Sequence, residues 1–161
     1  MRFFRTLIAC AAGLLLSTLP LVAHATDLSV TAASVLPATD AVLQTGVAGE
    51  AVTAGQLVYK KAADGKWYKA DCNSATAEVR VASGVVTNGA AAGQPVVVQR
   101  SGSITIGATL TAGTVYYLSG TAGGIRPVAD NTTGDYPQAV GIATSTTVLK
   151  LNFVLAAGVA L

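Results

Sequence analysis

The stretch Thr147-Val148-Leu149-Lys150-Leu151-Asn152-Phe153-Val154-Leu155 sets the fold class. Leu149, Leu151, Phe153 and Leu155 fall on one side of an extended chain and Lys150 and Asn152 on the other, the period-two pattern of a half-buried strand. Working back from it, Ser103-Ile104-Thr105-Ile106 puts two isoleucines on one side, and Glu78-Val79-Arg80-Val81 alternates in the same way. Val96-Val97-Val98 is a continuous apolar run, as expected of a strand covered on both faces. No stretch after Thr26 keeps an i, i+3, i+4, i+7 stripe for three turns, although Asp71 to Ala77 has room for one helical turn capped by Asp71 or Asn73.

Turn residues punctuate these runs. Asp64-Gly65 separates Leu57-Val58-Tyr59 from Trp67-Tyr68, and Asn88-Gly89 follows Gly84-Val85-Val86; both dipeptides favour the positive φ angles of tight hairpins. The reading is an all-β fold, a small sandwich or barrel of short antiparallel strands. Thr53-Ala54-Gly55-Gln56-Leu57-Val58-Tyr59 recurs as Thr111-Ala112-Gly113-Thr114-Val115-Tyr116-Tyr117, and a shorter copy stands at Ala92-Gly93-Gln94-Pro95-Val96-Val97-Val98. Gly84-Val85-Val86-Thr87 is answered by Gly141-Ile142-Ala143-Thr144, so an offset near 58 residues persists and predicts an internal duplication. The expected organisation is a leader over 1–25, an extended N-terminal arm over 26–45, and a β domain over 46–161 with halves at about 46–100 and 101–161.

The leader reading rests on Arg2 and Arg5, the uncharged run from Leu7 to Val22, and Ala23-His24-Ala25, the layout of a signal peptide cleaved between Ala25 and Thr26. An uncleaved leader would be the chain's one route to a membrane; a start assigned too far upstream is the other reading. Arg2 and Arg5 account for the whole excess of ten basic over eight acidic residues, so the body is neutral. Its scattered lysines and arginines form no cationic stripe, which disfavours nucleic acid.

Chemistry is scarce in the body. His24, the one histidine, lies in the leader, which closes the Ser-His-Asp, Cys-His and histidine-zinc classes for the body. Cys72 is then the body's single thiol and reads as a small packed residue. Asp64, Asp71, Asp130 and Asp135 stand beside turn residues, and Asp130 to Asp135 lacks oxygen ligands where a calcium loop needs them. Gly120-Thr121-Ala122-Gly123-Gly124 has no following Lys-Ser/Thr and reads as a hairpin tip rather than a phosphate loop. Catalytic residues, metal ligands and cofactor-binding residues are therefore not expected. The candidate interaction residues are Trp67, Tyr68, Tyr116 and Tyr117: on adjacent strand positions, one member of each pair points opposite to the other. An aromatic exposed among Lys60, Lys61, Lys66 and Lys69 marks a protein or sugar contact; a core aromatic beside a solvated edge is the competing reading.

The run Thr45 to Tyr59, Gly84-Val85-Val86 with Gly93-Gln94-Pro95-Val96, and Ala112 to Tyr117 with Val140-Gly141-Ile142-Ala143 resembles the small head decoration, or capsid cement, proteins of tailed phages. The likeness covers roughly residues 27 to 155 and is made of glycine and valine positions. It implies a non-enzymatic β domain, a homotrimer, seated on the virion surface and bracing a lattice of major capsid protein. The leader departs from that pattern and suggests an alternative, a secreted or periplasmic β-sandwich that works as an adhesion or carbohydrate-contact module.

Overall fold

The computed structural model describes residues 27–155, so the expected leader and its cleavage point at Ala25 and Thr26 lie outside the described residues. The fold is all-β. Its strands are β1 (Val35–Pro37), β2 (Val42–Val47), β3 (Leu57–Lys60), β4 (Trp67–Lys69), β5 (Gly84–Val86), β6 (Pro95–Ile106), β7 (Val115–Leu118), β8 (Ile125–Pro127), β9 (Gln138–Ala143) and β10 (Val148–Leu155). They form a curled antiparallel sheet, a half-barrel, in the order β4-β3-β5-β6-β10-β9-β7-β8, with β1 and β2 laid along β6.

Residue by residue, the second half repeats the pairing of the first. Tyr59 faces Tyr68 across β3 and β4, and Tyr117 faces Arg126 across β7 and β8; Val58 faces Gly84, and Tyr116 faces Gly141. Val86 faces Val98 as Ala143 faces Leu149, and Gln44 faces Val98 as Ile104 faces Leu149. Even the turn before each inner strand is reproduced. The Gly55 N–H donates to the Val86 carbonyl and the Gly113 N–H to the Ala143 carbonyl, with both glycines at positive φ, which explains why Ala-Gly precedes each strand. The long strand β6 serves twice, ending the first unit and opening the second.

The junction is Gly102, at φ +93°, where a Cβ would overlap the Asp40 carbonyl oxygen. Just before it Arg100 is a bulge against β2, because Val42 faces Ser101 while Leu43 faces Gln99. The Gln99 amide donates to the carbonyls of Ser101 (3.1 Å) and Ser103 (2.9 Å), pinning the bend from inside. Asp40 accepts the Ser103 N–H at 2.9 Å from outside.

Two cores result. Ala48, Val52, Val58, Trp67, Val86, Ala90, Val96 and Val98 fill the first unit, which a parallel bridge from Ala48 to Trp67 draws closed between β2 and β4. The larger core joins the back of that unit, through Leu57, Tyr59 and Val85, to the inside of the second, through Ile104, Ile106, Leu118, Ile125, Val140 and Leu149. In the second unit the N-terminal segment reaches the corresponding edge: Leu28 N–H donates to Ile125 and Thr31 N–H to Gly107.

Several sequence expectations hold and others are corrected. Leu149 and Leu151 are buried while Lys150 and Asn152 are exposed, as the alternation requires. Gly65 takes positive φ in the β3–β4 hairpin, and residues 119–124 form the β7–β8 tip. By contrast, the expected strand at Glu78-Val79-Arg80-Val81 is a 3-10 helix over Ala77–Arg80, so the helical turn begins where the predicted one was to end. The Arg80 guanidinium donates to the Ser74 and Ala75 carbonyls and lies 3.6 Å from the Tyr136 ring centroid, contacts that curl this segment locally instead of extending it. Asn88-Gly89 makes no two-residue hairpin, because β5 and β6 are joined through residues 87–94 and the Asn88 carboxamide oxygen accepts the Val97 N–H at 2.7 Å. Of the arm expected over 26–45, β1 and the start of β2 lie along the chain's own β6, whereas Leu28 bonds to Ile125 of β8 and Ala32–Ser34 is a 3-10 helix rather than extended chain.

Candidate interaction surface

Burial divides the four candidate aromatics as adjacent strand positions require. Trp67 is fully buried and Tyr116 nearly so, so neither offers a stacking face. Trp67 lies beneath Gly46, whose missing side chain leaves the indole its space. The Tyr116 hydroxyl accepts the Thr111 N–H at 3.0 Å, stapling the turn before β7. Tyr68 and Tyr117 are half-exposed, and Tyr68 packs against the larger core beside Tyr59, with ring centroids 6.0 Å apart. The Tyr68 hydroxyl donates to Asp64 at 2.7 Å, its ring packs over Gly49, and the Lys61 ammonium sits 5.2 Å from the ring centroid. That hydrogen bond holds the Tyr68 phenol above its ordinary pKa and is the leading reason Asp64 lies below the usual carboxylate range. Next to it, Lys69 lies 3.9 Å from Glu50, outside the hairpin.

An apolar surface that the aromatic pattern missed lies on the N-terminal segment. Leu36 is 62% exposed, Val42 55%, Leu43 50% and Val47 41%, all on β1 and β2. Leu43, Thr45 and Val47 alternate on one face of β2, and this strand has β6 on one side only apart from the bridge at Ala48. The signal was present as Val42-Leu43 and Val47, but a sequence does not say which apolar residues of an edge strand face outward. Exposed apolar side chains along a strand edge are characteristic of a surface that another protein covers.

The polar interior is structural. Arg126 donates through Nη2 to Asp135 at 2.7 Å and to the Cys72 sulfur at 3.1 Å, and through Nη1 to the Asp130 carbonyl at 3.1 Å. Thr132 donates its N–H (2.7 Å) and hydroxyl (2.9 Å) to the same Asp135 oxygen. Burial works to raise the Asp135 carboxyl, and the Thr132 and Arg126 donors outweigh it, so the group lies below the usual range. Burial, only partly offset by the charge of Arg126, pushes the Cys72 thiol up to about 12. Held neutral and fully buried, the thiol packs as a small side chain. This node ties the loop after β4 to β8 and to the loop before β9, across the two units.

Among the described residues no group of three or more His, Cys, Asp or Glu side chains is placed to hold a metal ion, and no helix is long and apolar enough to cross a membrane. What the described residues show is a set of exposed apolar side chains on β1 and β2. Compared with known proteins, the sequence matches no family model and no curated protein.

Proposed function

We propose that this is a non-enzymatic virion structural protein, a homotrimer that decorates a phage capsid and stabilises its major capsid lattice from outside. The observation that carries this reading is the set of exposed apolar residues on β1 and β2, Leu36, Val42, Leu43 and Val47, of which Leu43 and Val47 share one face of β2. The tandem β units stand behind these residues, and the larger core packs the two together. Many small apolar contacts repeated over a lattice bind through multivalency without any catalytic group. The test is cosedimentation of the purified chain with capsid particles that lack it. Saturable binding, with a plateau set by the number of lattice sites, supports the reading; absence of binding removes it.

The leader pattern over 1–25 favours a second reading, an exported adhesion or carbohydrate-contact module. Under it, the mature chain recovered from cells starts at Thr26 and a periplasm-dependent reporter fused to it is active.

A further inference from the structure

The two units bury the same face differently. In the first, Leu57 faces Val85 across β3 and β5, and Val85 faces Gln99 across β5 and β6. These side chains and Tyr59 point away from the Trp67 core, yet all four are buried. Leu57, Tyr59 and Val85 are covered by the second unit, which packs over them in the larger core. The corresponding rungs of the second unit are Val115 with Ile142 and Ile142 with Lys150, and Tyr117 stands where Tyr59 does.

Here the described residues leave the face open. Ile142 and Val154 are exposed, and Val115, Tyr117, Ala139 and Val148 are half-exposed. Their neighbours in sequence Tyr116, Leu118, Val140, Ala143 and Leu149 are buried, so alternation sends the first set outward. Two observations bear on what covers them. Within the chain, the equivalent rungs already pack against another β unit of the same sequence. The face also offers no charge to select an acidic or basic partner. Lys150 is the single charged residue of β7, β9 and β10, and its ammonium is held by Asp40. Copies of such a face approach one another without electrostatic repulsion.

We propose that the outward face of β10, β9 and β7 is the contact between copies of this chain, turned in each copy toward a shared symmetry axis so that Val115, Ile142 and Val154 cover their own counterparts. Leu43 and Val47 lie outside this contact, on β2 of the first unit. The inference deepens the homotrimer reading by giving it a surface, and rests on that reading for the number of copies alone.

The test is sedimentation velocity of the full chain over a range of concentrations. A trimer that dissociates on dilution is expected. Ile142→Glu should weaken association about a hundredfold, because each copy brings a carboxylate against its counterparts, and Ile142→Val should keep it. At a dilution where both chains are monomeric, Ile142→Glu should melt within a few degrees of the unaltered chain, since the position is already exposed. Methyl NMR of the unaltered chain gives a second readout, with concentration-dependent shifts at Val115, Ile142 and Val154 and none at Leu43 or Val47. A chain that stays monomeric at every concentration overturns the proposal. In that case contacts from residues 156–161 to Ile142 give the face to the chain's own end, and loss of particle binding by Ile142→Glu gives it to the capsid protein. An oligomer that Ile142→Glu leaves intact, with methyl shifts elsewhere, overturns it as well. Particle binding by a monomer leaves the lattice reading standing without this contact; a trimer through this face that binds no particle keeps the contact and removes the lattice reading.

Discussion

Replacing Arg126 by methionine tests how the two units are held together. The Arg126 and Asp135 side chains are 7% and 3% exposed, and the guanidinium links Asp135, Cys72 and the Asp130 carbonyl. Methionine keeps much of the volume but leaves the Asp135 carboxylate buried with Thr132 as its main remaining donor. Breaking one partner of a buried pair typically costs about 3–5 kcal/mol, against about 5–15 kcal/mol for a whole domain. With a urea slope of about 2 kcal/mol per molar, the midpoint falls by roughly 2 M. The assay is urea unfolding followed through Trp67, the single tryptophan of the chain, which is fully buried. The pH dependence supplies the refutation. The folded Asp135 pKa is depressed, so its contribution is present above the unfolded value of about 3.9 and is lost as pH falls through the folded value. The gap between unaltered chain and variant should therefore be wide at pH 7 and narrow at pH 3, where the carboxyl is neutral in the variant. Asp135→Asn strands the guanidinium and removes the titrating carboxyl altogether, so its gap to the unaltered chain should also narrow as pH falls below about 3.9. An equal Arg126→Met gap at both pH values would show that packing, not charge, carries the node.

Gly102→Ala should lower the melting temperature by several degrees, because positive φ alone costs a non-glycine residue about 1–2 kcal/mol and the new Cβ meets Asp40 backbone; calorimetry checks it. Trp67→Ala should cost about 3–5 kcal/mol and open the first unit, seen as faster exchange of the Ala48 and Gly49 amides. Cys72 should resist iodoacetamide at pH 8 in the folded chain and alkylate fully in urea, since burial holds its pKa at about 12; mass spectrometry counts the adduct. Leu43→Glu with Val47→Glu should leave the melting temperature within a few degrees and abolish cosedimentation with particles.

The duplication was legible because each unit needs glycine at the same place: Gly55 and Gly113 turn into their strands at positive φ, and Gly84 and Gly141 sit where a Cβ would strike the neighbouring strand. The alternation at 147–155 was legible because β10 has one face on the core. β1 and β2 were hard to see because an edge strand beside Pro37 exposes apolar residues on both faces and loses the contrast on which period-two reading depends. The segment at 78–81 misled for the opposite reason. Its alternation is real, but Arg80 is drawn onto Tyr136, distant in sequence, and to carbonyls at Ser74 and Ala75, and no local pattern encodes the first of these. Likewise Asp135 reads as a turn residue by its neighbours; its ion pair with Arg126 and contact with Cys72 are tertiary facts. The exposed apolar residues of β1 and β2 lie beside β6, the strand the two units share, which a repeat implies without locating.

The proposed role makes the chain part of a virion. Quantitative mass spectrometry of purified particles from the host of origin, scaled to the major capsid protein, is the decisive measurement. A copy number near that of the capsomers is the predicted result. Particles free of the chain, with the protein recovered instead from the periplasm beginning at Thr26, would contradict it.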